Sequence, residues 1–157
     1  MRIWRLHSEQ WVPRPLDELF PFYADAHNLE RITPPWLHFR VLTPGPLEVR
    51  RGTLIDYRLR LHGVPFGWRT EIAAWEPPVR FVDRQLRGPY RLWEHEHTFA
   101  AHGERTRVVD TVRFAAPLGR LVGPVVRHEV ERIFAYRGTA LTELFEAEPQ
   151  DLVVERE

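Results

Sequence analysis

The chain has no cysteine and no lysine, and its only serine is Ser8. Without cysteine there is no disulfide, no thiol nucleophile and no cysteine-ligated metal. All 22 basic residues are arginine, which excludes Schiff-base chemistry on a lysine. A lone serine near the N-terminus leaves little room for a serine hydrolase. Neither charge sign is in excess, with 22 acidic residues against the 22 arginines, so the chain carries no basic footprint for nucleic acid. No apolar run approaches the ~18 residues of a membrane span. Met1-Arg2-Ile3-Trp4-Arg5 reads as the start of a strand rather than a signal peptide. The expectation is a cytoplasmic protein with no nucleic-acid partner and no integral membrane segment. Any catalysis rests on acid–base chemistry by His, Asp, Glu or Tyr.

The stretch from Tyr90 to Phe99 alternates cleanly, and alternate residues of a strand face opposite sides of the sheet. Trp93, His95, His97 and Phe99 share one face; Leu92, Glu94, Glu96 and Thr98 share the other. The acidic face belongs in water, so two imidazoles point inward and need partners.

The rest of the chain, 157 residues long, fits one domain around this strand. Residues 2–12 form an opening strand with a slip in its pattern. Pro15-Leu16-Asp17-Glu18 starts a short helix whose stripe is Leu16, Leu19, Phe20 and Tyr23. A second short helix follows Asp25 as cap, with Leu29 and Ile32 inward, and Thr33-Pro34-Pro35 stops it. Residues 37–43 read as a strand. Four alternating runs separated by turns then make an antiparallel meander. Their inward residues include Ile55, Tyr57, Leu59 and Leu61; Trp68, Thr70 and Ile72; Phe81, Asp83 and Gln85; and, after the central strand, Val108, Asp110, Val112 and Phe114. From Leu118 the period becomes helical, through Leu121, Val125, Val130, Phe134, Arg137 and Leu141 to about Glu148, with a kink or restart at Gly123-Pro124. Roughly 30 helical residues span about 45 Å, enough to cross a sheet. The domain is expected to cover 1–148, and residues 149–157 to be a charged, fraying tail.

Turn positions suggest registers. A loop at Gly88-Pro89-Tyr90 sets Asp83 opposite His95, Gln85 opposite Trp93 and Arg84 opposite Glu94. A loop at His102-Gly103 sets His95 opposite Asp110 and His97 opposite Val108. The same exercise puts Ile55 beside Ile72, although it also sets Arg58 opposite Arg69. The resulting Asp83–His95–Asp110 row admits a structural reading, as a buried network holding the strands. It equally admits a ligand reading, as the polar end of an apolar pocket. A catalytic reading makes His95 a general acid/base. A metal site on His95, His97 and an Asp lacks a recognised ligand spacing. Arg137, on the apolar stripe of the long helix, either snorkels at the rim or meets Asp83, Asp110 or a ligand's acid group. Trp36 is either a portal-lip aromatic or a core anchor.

Three segments carry a family resemblance: His27-Asn28-Leu29-Glu30-Arg31-Ile32-Thr33-Pro34-Pro35-Trp36, the run Phe81 to Tyr90 with Trp93, His95 and His97, and the later Asp110. With the element order, they make the chain resemble the START-like, or SRPBCC, superfamily. That superfamily includes birch pollen allergen, lipid-transfer START domains, polyketide cyclase/dehydratases and coenzyme-Q-binding proteins; within it the chain is similar to the bacterial ligand-binding group. The resemblance implies an α+β helix-grip fold. A curved antiparallel sheet of six to seven strands wraps one long C-terminal helix, two short helices follow the first strand, and a cavity lies between sheet and helix. The expected function is binding, or transport, of a small hydrophobic ligand such as a lipid, isoprenoid or polyketide. Tyr57, Trp68, Phe81, Asp83, Gln85, Trp93, His95, His97, Phe99, Asp110 and Arg137 are the candidate ligand-binding residues, with no cofactor and no metal. The alternative is a cofactor-free cyclase, aromatase or dehydratase with His95 as acid/base. A third class, an interaction module, requires an exposed apolar patch that the charged outward positions do not offer.

Overall fold

Every period-two run becomes a strand. The structure is a computed structural model describing residues 1–47, 49–117 and 121–157. Its strands are β1 (Trp4–Val12), β2 (Arg40–Val41), β3 (Leu54–Leu61), β4 (Val64–Glu76), β5 (Arg80–Arg87), β6 (Leu92–His102), β7 (Arg105–Ala115) and β8 (Asp151–Arg156). Helix α1 (Leu16–Ala24) and two 3-10 segments, Ala26–Ile32 and Pro35–Leu37, lie between β1 and β2, and α2 (Gly123–Phe145) lies between β7 and β8. All pairings are antiparallel, in the order β2-β3-β4-β5-β6-β7-β1-β8. This is the expected α+β helix-grip architecture, with eight strands rather than six or seven.

The eighth strand corrects the expected fraying tail. Asp151–Arg156 adds to the free edge of β1, pairing Leu6 with Val154 and Ser8 with Leu152. Val154 is buried; charged neighbours disguise this strand's own alternation in the sequence. Other boundaries move too. The strand expected over 37–43 is only Arg40–Val41, and the second short helix is 3-10, with Asp25 accepting from the His27 amide. The long helix starts at Gly123 rather than continuing through it: Pro124 sits in its first turn, where a missing N–H costs nothing. Leu121, counted into its stripe, is 93% exposed, and Leu118 lies outside the described residues. The opening strand has no slip; its inward face is Leu6, Ser8, Gln10 and Val12, all buried.

Those two inward polar residues tie α2 to the sheet. Gln10 Nε2 donates to the Gly138 carbonyl at 2.9 Å and to the Glu148 carbonyl at 2.9 Å. Gln150 Nε2 donates to Ser8 Oγ at 2.7 Å and to the Phe134 carbonyl at 3.1 Å. The close approach needs Gly138, because a Cβ there would stand 2.6 Å from Gln150 Oε1. The buried face of α2, with Val130, Phe134, Arg137, Gly138 and Leu141, is thereby laid across the sheet's concave side.

Turn geometry decides the registers. Between β5 and β6 the pairs Asp83–His95 and Arg84–Glu94 form as expected. Between β6 and β7 the two-residue loop is Gly103-Glu104, closed by the His102–Arg105 pair, with Gly103 at φ 64°. This shifts every pair by two residues, so His97 stands opposite Asp110 and His95 opposite Val112. The β3–β4 loop is His62-Gly63, so Ile55 faces Thr70 rather than Ile72. Arg69 then faces Asp56 instead of Arg58, and Arg69 Nε reaches Asp56 Oδ1 at 2.9 Å. A shift of two leaves the faces unchanged, and the inward residues are those expected.

Deleting residues 151–157 removes β8 and the buried Val154. The expected result is a loss of about 2 kcal/mol or more, or about 4–8 °C in Tm by circular dichroism. An unchanged midpoint would mean the segment is not part of the sheet.

Candidate functional site

At the centre of the concave face, β6 sets two imidazoles two residues apart. Their rings stack, with centroids 3.7 Å apart and planes 24° apart, and His97 also stacks on Phe81 at 4.0 Å. The edge of Phe134, from α2, closes against His95 at 5.3 Å. The carboxylates come from the flanking strands and bind diagonally. His97 Nε2 lies 2.7 Å from Asp83 Oδ2 and His95 Nε2 lies 2.7 Å from Asp110 Oδ1, although the ladder places Asp83 opposite His95 and Asp110 opposite His97. An ionised carboxylate only accepts, so each Nε2 carries the hydrogen. Looser approaches complete the lattice: His97 Nδ1 to Asp110 at 3.4 Å and His95 Nδ1 to Asp83 at 3.9 Å. Arg137 is only 6% exposed, and its Nη2 lies 3.7 Å from Asp110 Oδ1.

Burial pushes the Asp110 carboxyl up, but Arg137, the His95 hydrogen bond and the fields of both imidazoles outweigh it and hold it well below the usual carboxylate range. Asp83 is balanced in the same way, burial opposing the His97 hydrogen bond and the charges of His95, His97 and Arg137, and it too is lowered. Burial and the neighbouring His95 lower His97 to about 4 despite both carboxylates. The cluster counts two carboxylates against one guanidinium.

Between this cluster and the helices lies a cavity of about 150 Å³. Of the expected binding residues, Tyr57, Trp68, Phe81, Asp83, Trp93, His95, His97 and Arg137 line it. Three do not. Asp110, beside the histidines on β7, is not among the lining residues. Phe99 packs against Phe20 and Tyr23 in the core. Gln85 closes the β5–β6 turn, its amide bonding both the N–H and the carbonyl of Tyr90. Tyr23, Leu29 and Ile133 complete the wall from α1, the first 3-10 segment and α2. The helical stripe identified Tyr23 as inward but not as part of the site. Trp36 is 43% exposed, edge-on to Tyr136 and under the Arg132 guanidinium at 4.8 Å, so it is neither a core anchor nor part of the cavity wall. Several polar atoms of the wall have no hydrogen-bond partner among the described residues: Tyr23 Oη, Trp68 Nε1, His97 Nδ1, and Nε and Nη2 of Arg137.

Ligand atoms of Asp83, His95 and His97 lie within 4.8 Å of one another. Stacked rings, however, aim their in-plane lone pairs in parallel rather than at one point, and both Nε2 atoms are engaged by carboxylates. The geometry is that of an acid–base or hydrogen-bonding cluster.

Residues 31–145 match the family model described as Domain of unknown function (DUF8410). The chain belongs to this family. No protein of curated function matches the DUF8410 chain. Its fold is START-like. A START superfamily protein from Mycobacterium smegmatis superposes with a TM-score of 0.67 at 14% identity, covering 90% of this chain and 97% of that one. The Zhui aromatase/cyclase from Streptomyces sp. R1128 gives 0.65 at 19% identity, over 90% and 93%. Ginseng major latex-like protein 151 from Panax ginseng gives 0.65 at 12% identity, over 91% and 97%. Among the described residues of the DUF8410 chain, no helix is long and apolar enough to cross a membrane.

The buried cluster makes stability fall in acid. His97 takes up a proton at about 4 when folded against 6.5 when free, so the unfolded chain is protonated first. About 3 kcal/mol is therefore lost as the pH falls from 6.5 to about 4. The lowered carboxyls add a further loss as the pH drops through their folded values. Urea unfolding at a series of pH values measures this slope; His97→Gln should flatten it between pH 6.5 and 4, and a wild-type profile already flat there contradicts the assignment.

Proposed function

We propose that this protein binds a small, largely apolar ligand between the sheet and α2, as a single cytoplasmic domain. Tyr57, Trp68, Phe81 and Trp93 supply the apolar surface, and Asp83, His95, His97 and Arg137 the polar end. The observation that carries this reading is the joining of an aromatic-lined cavity to buried polar atoms that have no hydrogen-bond partner among the described residues. Such groups are costly unless something satisfies them, and pockets of this composition are the usual form of small-molecule sites. A cavity of about 150 Å³ takes a ligand of about one ring. An isoprenoid, polyketide or lipid requires the walls to part. The fold's solved neighbours support the reading by their architecture.

A second reading is favoured by the two imidazole–carboxylate pairs at the cavity wall. In it the same site runs a cofactor-free cyclisation or dehydration, with His95, oriented by Asp110, moving the proton. One structural neighbour is an aromatase/cyclase.

Native mass spectrometry of the purified protein, followed by organic extraction, tests the binding reading. The expected result is an apolar adduct of defined mass, lost on extraction and restored on adding it back. Failure of the protein to take up any extracted or added apolar compound contradicts it. If the extracted compound is turned over, His95→Ala is expected to abolish turnover with the far-ultraviolet spectrum retained. Retained turnover removes His95 from the chemistry.

A further inference from the structure

The unpartnered atoms at the polar end are mostly donors. Arg137 contributes Nε and Nη2, which never accept, and Tyr23 contributes its hydroxyl. The two side chains are adjacent, the guanidinium carbon lying 6.0 Å from the centre of the Tyr23 ring, and both line the cavity. The nearest carboxylate oxygens are already engaged, Asp110 Oδ1 with His95 and Asp83 Oδ2 with His97, and the one acceptor left over, His97 Nδ1, is outnumbered by the donors. A ligand that completes this end therefore brings an acceptor. The local charge decides which kind. Two carboxylates already face one guanidinium. A carboxylate or phosphate ligand would leave an uncompensated negative charge in a buried site, which is costly. A carbonyl oxygen accepts two or more hydrogen bonds and brings no charge.

Resting on the binding reading above, we infer that the ligand is a neutral carbonyl compound of about one ring, a ketone, lactone or quinone, whose oxygen accepts from Arg137 and Tyr23 while its ring lies among Tyr57, Phe81 and Trp93.

Three probes of matched shape test this by titration calorimetry or ligand-observed NMR: acetophenone, α-methylstyrene, in which a methylene replaces the carbonyl oxygen, and benzoate. The informative quantity is how Tyr23→Phe and Arg137→Met change the acetophenone to α-methylstyrene affinity ratio. It is expected to fall at least about tenfold over the two variants, through weaker acetophenone binding with α-methylstyrene held or improved. Tyr23→Phe removes an unpartnered hydroxyl and leaves the fold intact, so it decides the question alone if Arg137→Met does not fold. A ratio unchanged by Tyr23→Phe and by any folded Arg137→Met overturns the inference, as when water satisfies the donors, while leaving the cavity reading standing. Benzoate binding more tightly than acetophenone overturns the neutral-ligand claim. If none of the three binds, the cavity reading falls and takes the inference with it.

Discussion

Four ionisable side chains share the inner face of one sheet, and the structure depends on how they are paired. Each imidazole reaches diagonally to a carboxylate on the next strand, His97 to Asp83 on β5 and His95 to Asp110 on β7. Direct pairing across each ladder would have joined the same residue types. The diagonal arrangement leaves the two rings stacked on one another and on Phe81. Removing one member of such a network strands a buried charge, at roughly 3–5 kcal/mol. The pairing also links three central strands, and Arg137 brings α2 into the same field.

The helix is held by a second polar system at the β1–β8 edge of the sheet. Ser8, Gln10 and Gln150 bind one another's elements and the α2 backbone. One system locks the helix to β1 and β8, and the other faces open space between helix and sheet. Among the described residues, the buried polar atoms of the first are satisfied, while in the second His97 Nδ1 and Nε and Nη2 of Arg137 have no hydrogen-bond partner. That contrast, within one small fold, is the observation on which the proposed binding site rests.

Much of this was legible in the sequence, because strand faces follow from alternation alone. Trp93, His95, His97 and Phe99 all point inward, as do Val108, Asp110, Val112 and Phe114. Register was less legible, because it depends on which residue of a turn takes positive φ. Placing Gly103 second rather than first in its loop slid Asp110 past its partner by two residues, without moving it off the face. The eighth strand was hidden by Asp151, Glu155 and Arg156 around the apolar Leu152 and Val154. Ser8 and Gln10 look like a break in an apolar pattern until their helix partners are seen. Tyr23 was legible as inward, but its place in the cavity wall depends on how α1 sits over the sheet. Gln85 and Phe99 share a face with the site and still miss it, since a face is longer than a cavity.

The proposed function depends on the space beside the imidazole cluster being a cavity for an apolar molecule and not a fault in packing. A crystal structure of the protein under xenon pressure tests it directly, since xenon enters dry apolar cavities without needing a specific ligand. Xenon density is expected in contact with Tyr57, Phe81 and Trp93, with the Asp83–His97 and His95–Asp110 bonds unchanged. Side chains filling that volume, with no xenon bound, would contradict it and return the cluster to a purely structural role.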